Sequence, residues 1–321
     1  MIQKTMHNYK ILEVINLTKK FKRNQPPVIN NLNFVVKKNQ YHVFIGANGA
    51  GKTTTIKTII GAFKKTSGMI LINGVDSNNP QARKALGYVP EVSRFANTLN
   101  TFEYLVWMGR LSGLNKLAAQ TKVKSKLEEF NMIKLAKTNP NKFSSGQKKK
   151  IILIQSLLND PELLILDEPT ANLDPKARIE FMDFIKQLQK QSQTSIFISS
   201  HVLTEVDQYA DSITILDGGR VVFSGDLNEI NQSNNHYKKY ILKVKDQKAA
   251  IKLLNKAGFN WIFKPDQQIF YLYSSEQTKI DRLLHDLILE KNQIIEFREH
   301  QFSINEIYEQ YIKIGSVQTA R

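Results

Sequence analysis

The segment Gly46-Ala-Asn48-Gly49-Ala-Gly51-Lys52-Thr53-Thr54 concentrates three glycines, a lysine and two hydroxyls in nine residues. It follows an apolar run, Tyr41 to Ile45, and leads into the helical pattern Ile56 to Ile60, so GxxxxGK[ST] stands in the strand, loop, helix context that phosphate binding requires. The glycines let backbone N–H groups turn inward around an anion, and the helix that follows offers its positive end. In that setting Lys52 is expected to reach the β- and γ-phosphates of a nucleotide and the Thr53 hydroxyl to ligate Mg²⁺. Gly46, Asn48, Gly49, Gly51 and Thr54 complete the cradle.

A second chemical element is Leu163-Leu-Ile-Leu-Asp167-Glu168, an all-apolar strand ending in two carboxylates. Burying an ionised pair is costly, so both acids should emerge at the strand's carboxyl end, where α/β sheets bind ligands. Asp167 then holds the Mg²⁺ shell, and Glu168 acts as general base or orients the attacking water. A strand leaving its core gives the same string, and the phosphate loop is what makes the chemical reading specific. Guanine recognition is not supported: Asn141-Lys142-Phe143-Ser144 and Asn115-Lys116-Leu117-Ala118 both lack the final acid of Asn-Lys-x-Asp. ATP is the expected nucleotide.

Elements must position these groups. Short β-branched runs recur at Ile11 to Leu17, Tyr41 to Ile45, Met69 to Ile72, Leu163 to Leu166, Ser195 to Ser199 and Ser212 to Leu216, separated by helical patterns, which predicts an α/β domain with a mixed or parallel sheet. The polar stretch Leu227 to Asn235 breaks the pattern. Beyond it the order is strand (Tyr237 to Val244), helix (Gln247 to Ala257), strand (Trp261 to Lys264), strand (Ile269 to Tyr273), helix (Glu276 to Glu290), strand (Ile294 to Arg298) and a last helix (Ile304 to Tyr311). That βαββαβ order is the ferredoxin-like split unit.

Composition bounds the class. The 321 residues suffice for about two domains, and the absence of cysteine excludes disulfide scaffolds, thiolate nucleophiles, Cys-ligated zinc and iron–sulfur clusters. Neither a run long enough to span a membrane nor a secretory h-region is found, so a cytoplasmic protein is expected. The net charge of +16 suits an acidic partner, yet it is spread along the chain without a basic arm, as on a lysine-rich soluble surface.

Taken in order, the motifs resemble the ATP-binding cassette family, specifically the nucleotide-binding subunit of a transporter, over roughly residues 9 to 230. The resemblance implies a P-loop ABC-type ATPase domain over 1–230, with a helical subdomain at about 92–160, followed by an α+β accessory domain at 236–321. It implies adenine stacking by Phe21, a signature at Phe143-Ser144-Ser145-Gly146-Gln147, a D-loop at Ala171 to Asp174 and a switch histidine, His201, that contacts the γ-phosphate and attacking water. It further implies a head-to-tail dimer, homomeric or with another ATPase subunit, sharing two ATP molecules with Mg²⁺. A separate transmembrane permease subunit would dock on Phe102 to Gly113, placing the chain at the cytoplasmic face of a membrane, with export the expected direction and no nucleic acid expected. The alternative from another class is a soluble cassette ATPase acting on the ribosome or nucleic acid.

Some features depart from the family pattern. Glu91 stands where glutamine usually follows Gly87-Tyr88-Val89-Pro90, and offers Mg²⁺ a carboxylate oxygen. Ser145 replaces the first glycine of the signature pair, at a position expected to want positive φ. Lys148, Lys149 and Lys150 put cations at a helix N-terminus against the macrodipole, an arrangement that makes sense if this end faces a polyanion.

Overall fold

A computed structural model describes residues 10–227, 238–274, 276–299 and 304–309. The expected linker 227–235, the start of the strand at Tyr237 and the end of the last helix lie wholly or partly outside them. Two compact units result, one built from residues up to 226 together with 308–309, the other from residues between 227 and 307.

The first unit contains two sheets rather than the single one expected. Strands β1 (Lys10–Lys19), β2 (Ile29–Lys37), β4 (Ser67–Ile72) and β5 (Val75–Asp76) form an antiparallel sheet in the order β2-β1-β4-β5. Strands β3 (Tyr41–Ile45), β6 (Leu86–Val89), β7 (Leu163–Leu166), β8 (Ser195–Ser200) and β9 (Ser212–Asp217) run parallel, with β10 (Arg220–Asp226) added antiparallel, in the order β10-β9-β3-β8-β7-β6. Every residue of β3, β7 and β8 is buried, as parallel strands covered on both faces require. One core lies between the sheets: Leu12, Val14, Phe34 and Ile70 from the antiparallel one meet Phe44, Ile165 and Phe197 from the other.

Helix α1 (Lys52–Ile59) leaves the end of β3 through the glycine loop. Gly51, its N-cap, has φ 106°, and a Cβ there would stand 2.7 Å from Ile29 Cγ2, so neither backbone nor space admits another residue. After the short α2 (Pro80–Arg83) come α3 (Thr101–Leu111), α4 (Lys116–Glu129) and α5 (Ser145–Leu157), which form the helical part. Asn100 and Ser144 each begin a helix with a capping box, closed by Glu103 and Gln147. Helix α6 (Pro175–Ser192) precedes β8, and the single turn α7 (Leu203–Val206) precedes β9.

The second unit alternates β11 (Lys238–Val244), α8 (Gln247–Lys256), β12 (Asn260–Lys264), β13 (Ile269–Ser274), α9 (Gln277–Leu289) and β14 (Ile294–Glu299), with helical residues 304–307 at its end. Its sheet order, β12-β13-β11-β14, is fully antiparallel and is that of a split βαββαβ unit. Leu242, Leu254, Phe270 and Leu283 centre a separate core beneath the two helices.

Candidate functional site

The carboxyl ends of β3, β7 and β8 and the first turn of α1 meet at one cleft of about 390 Å³, whose walls include Asn48, Gly49, Gly51 to Thr54, Glu91, Glu168 and His201. The Lys52 ammonium, 6% exposed, lies over the loop and donates to the carbonyls of Gly46 at 2.6 Å and Ala47 at 3.3 Å. It also meets Glu168 Oε1 at 3.2 Å. The other carboxylate oxygen, Oε2, accepts from His201 Nδ1 at 2.7 Å. One carboxylate is therefore gripped by a lysine from α1 and a histidine from just beyond β8.

Asp167 lies beside this group. Its Oδ1 accepts from the Thr53 hydroxyl at 3.1 Å and from Ser199 Oγ at 3.0 Å. Desolvation raises its pKa, and the Glu168 and Glu91 charges add to the rise, while the two hydroxyl hydrogen bonds oppose it. The same field reaches Tyr88, whose phenol is pushed up to about 12, chiefly by burial and then by Asp167 and Glu91. Such a carboxylate gains most from a nearby cation. Thr53, Asp167 and Glu91 supply hard oxygens of the kind Mg²⁺ takes, so the residues present fit that ion. Among the described residues no three acidic or histidine side chains are grouped to hold a metal by themselves, so phosphate and water oxygens would have to complete the shell.

The remaining expected residues lie elsewhere. Ser144, Ser145, Gly146 and Gln147 line a different cavity, about 340 Å³, with Leu173 and Asp174. Phe21 is 52% exposed outside the cleft, its ring edge-on to Phe63 at 5.3 Å and 4.9 Å from Lys19 Nζ. Ser145 corrects an expectation: it opens α5 and is absent from the positive-φ residues, because the position falls in the first helical turn, where a Cβ is unstrained. The three lysines are corrected too. Lys149 is buried with its ammonium on the carbonyls of Pro90 and Glu91, whereas Lys148 is half-buried and Lys150 exposed. The aromatic stretch on α3 also divides, since Trp107 is exposed but Tyr104 is buried and donates to Gln155 Oε1 at 2.6 Å.

Three contributors escaped the sequence reading. Ser199, fully buried, donates to Asp167 and accepts the Glu168 N–H at 3.0 Å. Glu205 accepts from Thr170 Oγ1 at 3.1 Å and from Arg178 at 2.6 Å, and Arg178 Nε donates to the Leu173 carbonyl at 2.8 Å. That network ties the loop after Glu168 to the turn after His201. The hydroxyls of Ser199 and Ser200, closing the apolar run Ile196 to Ile198, were the available signal; the Arg178–Glu205 pair, 27 residues apart, left none.

Comparison with known proteins fits this geometry. A family model described as ABC transporter matches residues 29–171. A Mycoplasma pneumoniae protein, provisionally named as an ABC transporter ATP-binding protein, is 42% identical over 76% of the chain and 74% of its own length. The bacitracin transport ATP-binding protein BcrA of Bacillus licheniformis is 35% identical over 76% of the chain and 78% of its own length. A solved ATP-binding subunit of an ABC transporter superposes with TM-score 0.62 at 33% identity, covering 70% of the chain and 93% of that structure.

Proposed function

The chain belongs to the ABC transporter family as an ATP-binding, ATP-hydrolysing subunit, and on that premise we propose that it energises a separate transmembrane permease, as an exporter, from the membrane periphery. Among the described residues no helix is long and apolar enough to cross a membrane, so a substrate path would belong to another subunit. The likeness to a bacitracin transport protein supports a role in transport. No observation favours the nucleic-acid alternative.

The observation that carries the chemical reading is the Glu168 carboxylate, held between Lys52 at 3.2 Å and His201 at 2.7 Å beside the Thr53–Asp167 pair. The loop N–H groups from Gly46 to Thr54 and the start of α1 hold the phosphates, and Lys52 binds the β- and γ-oxygens. Thr53 and Asp167 would hold Mg²⁺, with Glu91 as an outer donor, and the bound ion would supply charge neutralisation at the phosphates and leaving group. Glu168 takes the proton of the attacking water. His201 orients that carboxylate and, half-exposed, is open to the γ-phosphate side. Phe21 supplies the adenine platform. Because Ser144 to Gln147 face a cavity other than the phosphate cleft, the signature of a second subunit, head to tail, completes each site.

Glu168→Gln tests the reading. It keeps an oxygen for Lys52 or His201 but cannot take the proton, so turnover should fall by roughly 10² to 10⁴ with ATP binding intact and an ATP-bound dimer trapped. Near-normal turnover would reject Glu168 as the base.

A further inference from the structure

Lys149 is placed where stability alone would not put a cation. It stands in the early turns of α5 on the face that also carries the buried Ile152 and Leu153, three and four residues on, and is itself only 4% exposed. Burial draws its pKa down to about 8 against the pull of the Glu91 and Asp167 charges, and the N-terminal end of a helix is the unfavourable end for a positive group. A methionine or leucine would fill this face without desolvating a charge.

What the lysine does have is two acceptors. Its ammonium donates to the Pro90 carbonyl at 2.8 Å and the Glu91 carbonyl at 2.7 Å. The residue just before them, Val89, accepts the Asp167 N–H at 2.9 Å. The segment 89–91 is therefore fastened on one side to the strand end that carries Asp167 and Glu168, and on the other to the helix capped by Ser144. Its last residue, Glu91, lines the phosphate cleft with an exposed side chain for which no hydrogen bond is seen among the described residues.

We propose that Lys149 is a positioning residue, fixing the Pro90–Glu91 backbone to the signature helix so that the Glu91 carboxylate is presented to the metal side of the phosphate cleft. Seating of the helix that begins at Ser144 and presentation of Glu91 thereby become one event. The inference rests on the reading of Glu91 as an outer Mg²⁺ donor.

The test is a double-mutant cycle in the full-length protein: wild type, Lys149→Met, Glu91→Ala and the pair. Four quantities are measured: the Mg²⁺ concentration that half-saturates calorimetric ATP binding, kcat and KM for ATP hydrolysis at saturating Mg²⁺, and the melting temperature. Lys149→Met should raise the Mg²⁺ requirement about 10-fold, within the range for groups that orient metal ligands, with KM for ATP little changed. The double variant should match Glu91→Ala, because a carboxylate that is gone cannot be mispositioned. Lys149→Arg, which keeps cationic N–H donors, should restore most of the affinity. Where Lys149→Met does not fold, Lys149→Gln, too short to serve both carbonyls, takes its place in the cycle. Additive effects in the double variant, or a change in melting temperature with no change in Mg²⁺ requirement, would overturn the positioning role while leaving Glu91 as a donor. A silent Glu91→Ala would instead reject the Glu91 reading and the proposal with it.

Discussion

Removal of a single hydroxyl, in Ser199→Ala, probes the ground on which both acids stand. Ser199 is fully buried, so no water replaces its oxygen. The Glu168 N–H it accepts at 3.0 Å would be orphaned, which costs about 1 to 3 kcal/mol. Asp167 would lose one of two hydroxyl donors, a hydrogen bond to a charged group contributing about 1.5 to 3 kcal/mol. Allowing for partial relaxation, we expect the first unit to lose roughly 2 to 5 kcal/mol, and at about 2 to 4 °C per kcal/mol for a unit of this size its melting midpoint should drop by roughly 4 to 20 °C. Differential scanning calorimetry resolves such a shift, and ATPase activity should fall with it because Glu168 loses its backbone tether. Ser192→Ala is the control: its hydroxyl bonds only back to the Leu188 carbonyl and to Thr194 at the end of α6, so its effect should be far smaller. A Ser199→Ala midpoint within about 2 °C of wild type would refute the claim that this hydroxyl supports the strand end.

Two further outcomes follow from the same structure. His42 is wholly buried between Ser212 Oγ and Thr214 Oγ1, and desolvation lowers its pKa from 6.5 to about 3. Its folded pKa is below its unfolded one, so its contribution is present above pH 6.5 and is lost as pH falls towards 3. Between pH 7.5 and 5.5, wild type should lose roughly 1.4 kcal/mol more than His42→Gln in urea unfolding, and parallel losses would contradict the buried neutral imidazole. For the shared site, a 1:1 mixture of Lys52→Ala and Ser144→Arg chains assembled with the permease should recover about a quarter of wild-type ATPase, since half of the dimers keep one intact site; no recovery above either variant alone argues against completion in trans.

Much of this was legible because the chemistry is local. The phosphate loop needs its glycines at fixed intervals, and the βαββαβ unit announces itself through turns between periodic segments. Pairing is another matter. Ile11 to Leu17 and Met69 to Ile72 read as strands, but alternation carries no record of partner, and both belong to the antiparallel sheet. Strand β2 went unread because Asn30, Asn31 and Asn33 give it a turn-like composition although Leu32, Phe34 and Val36 alternate on its buried face, and β6 because four residues containing Gly87 give no period. Lys149 was misjudged by counting charge without phase, although Ile152 and Leu153 mark its face as the buried one. The Ser145 expectation failed for the converse reason, treating a glycine in a motif as a demand for φ when the capping box from Ser144 to Gln147 had already set a helical turn.

One geometric problem could be posed from the sequence but not solved there. Asp167 and Glu168 are adjacent at the end of β7, and an extended strand would send adjacent side chains to opposite faces. Both nevertheless meet the first turn of α1: Asp167 touches Thr53 at 3.1 Å and Glu168 touches Lys52 at 3.2 Å. The convergence comes from Glu168 itself, whose φ of 44° is left-handed. For a residue with a Cβ that conformation costs about 1 to 2 kcal/mol, and it is held by the Ser199 hydroxyl on the Glu168 N–H and by the Ala171 N–H on its carbonyl at 3.1 Å. A glycine at 168 would relieve the strain and remove the carboxylate; an extended glutamate would keep the carboxylate and aim it away from Lys52. The two acids can serve one cleft only if the second is bent out of strand geometry, so the strain at Glu168 is a condition of the chemistry, and the hydroxyl in β8 is what sustains it.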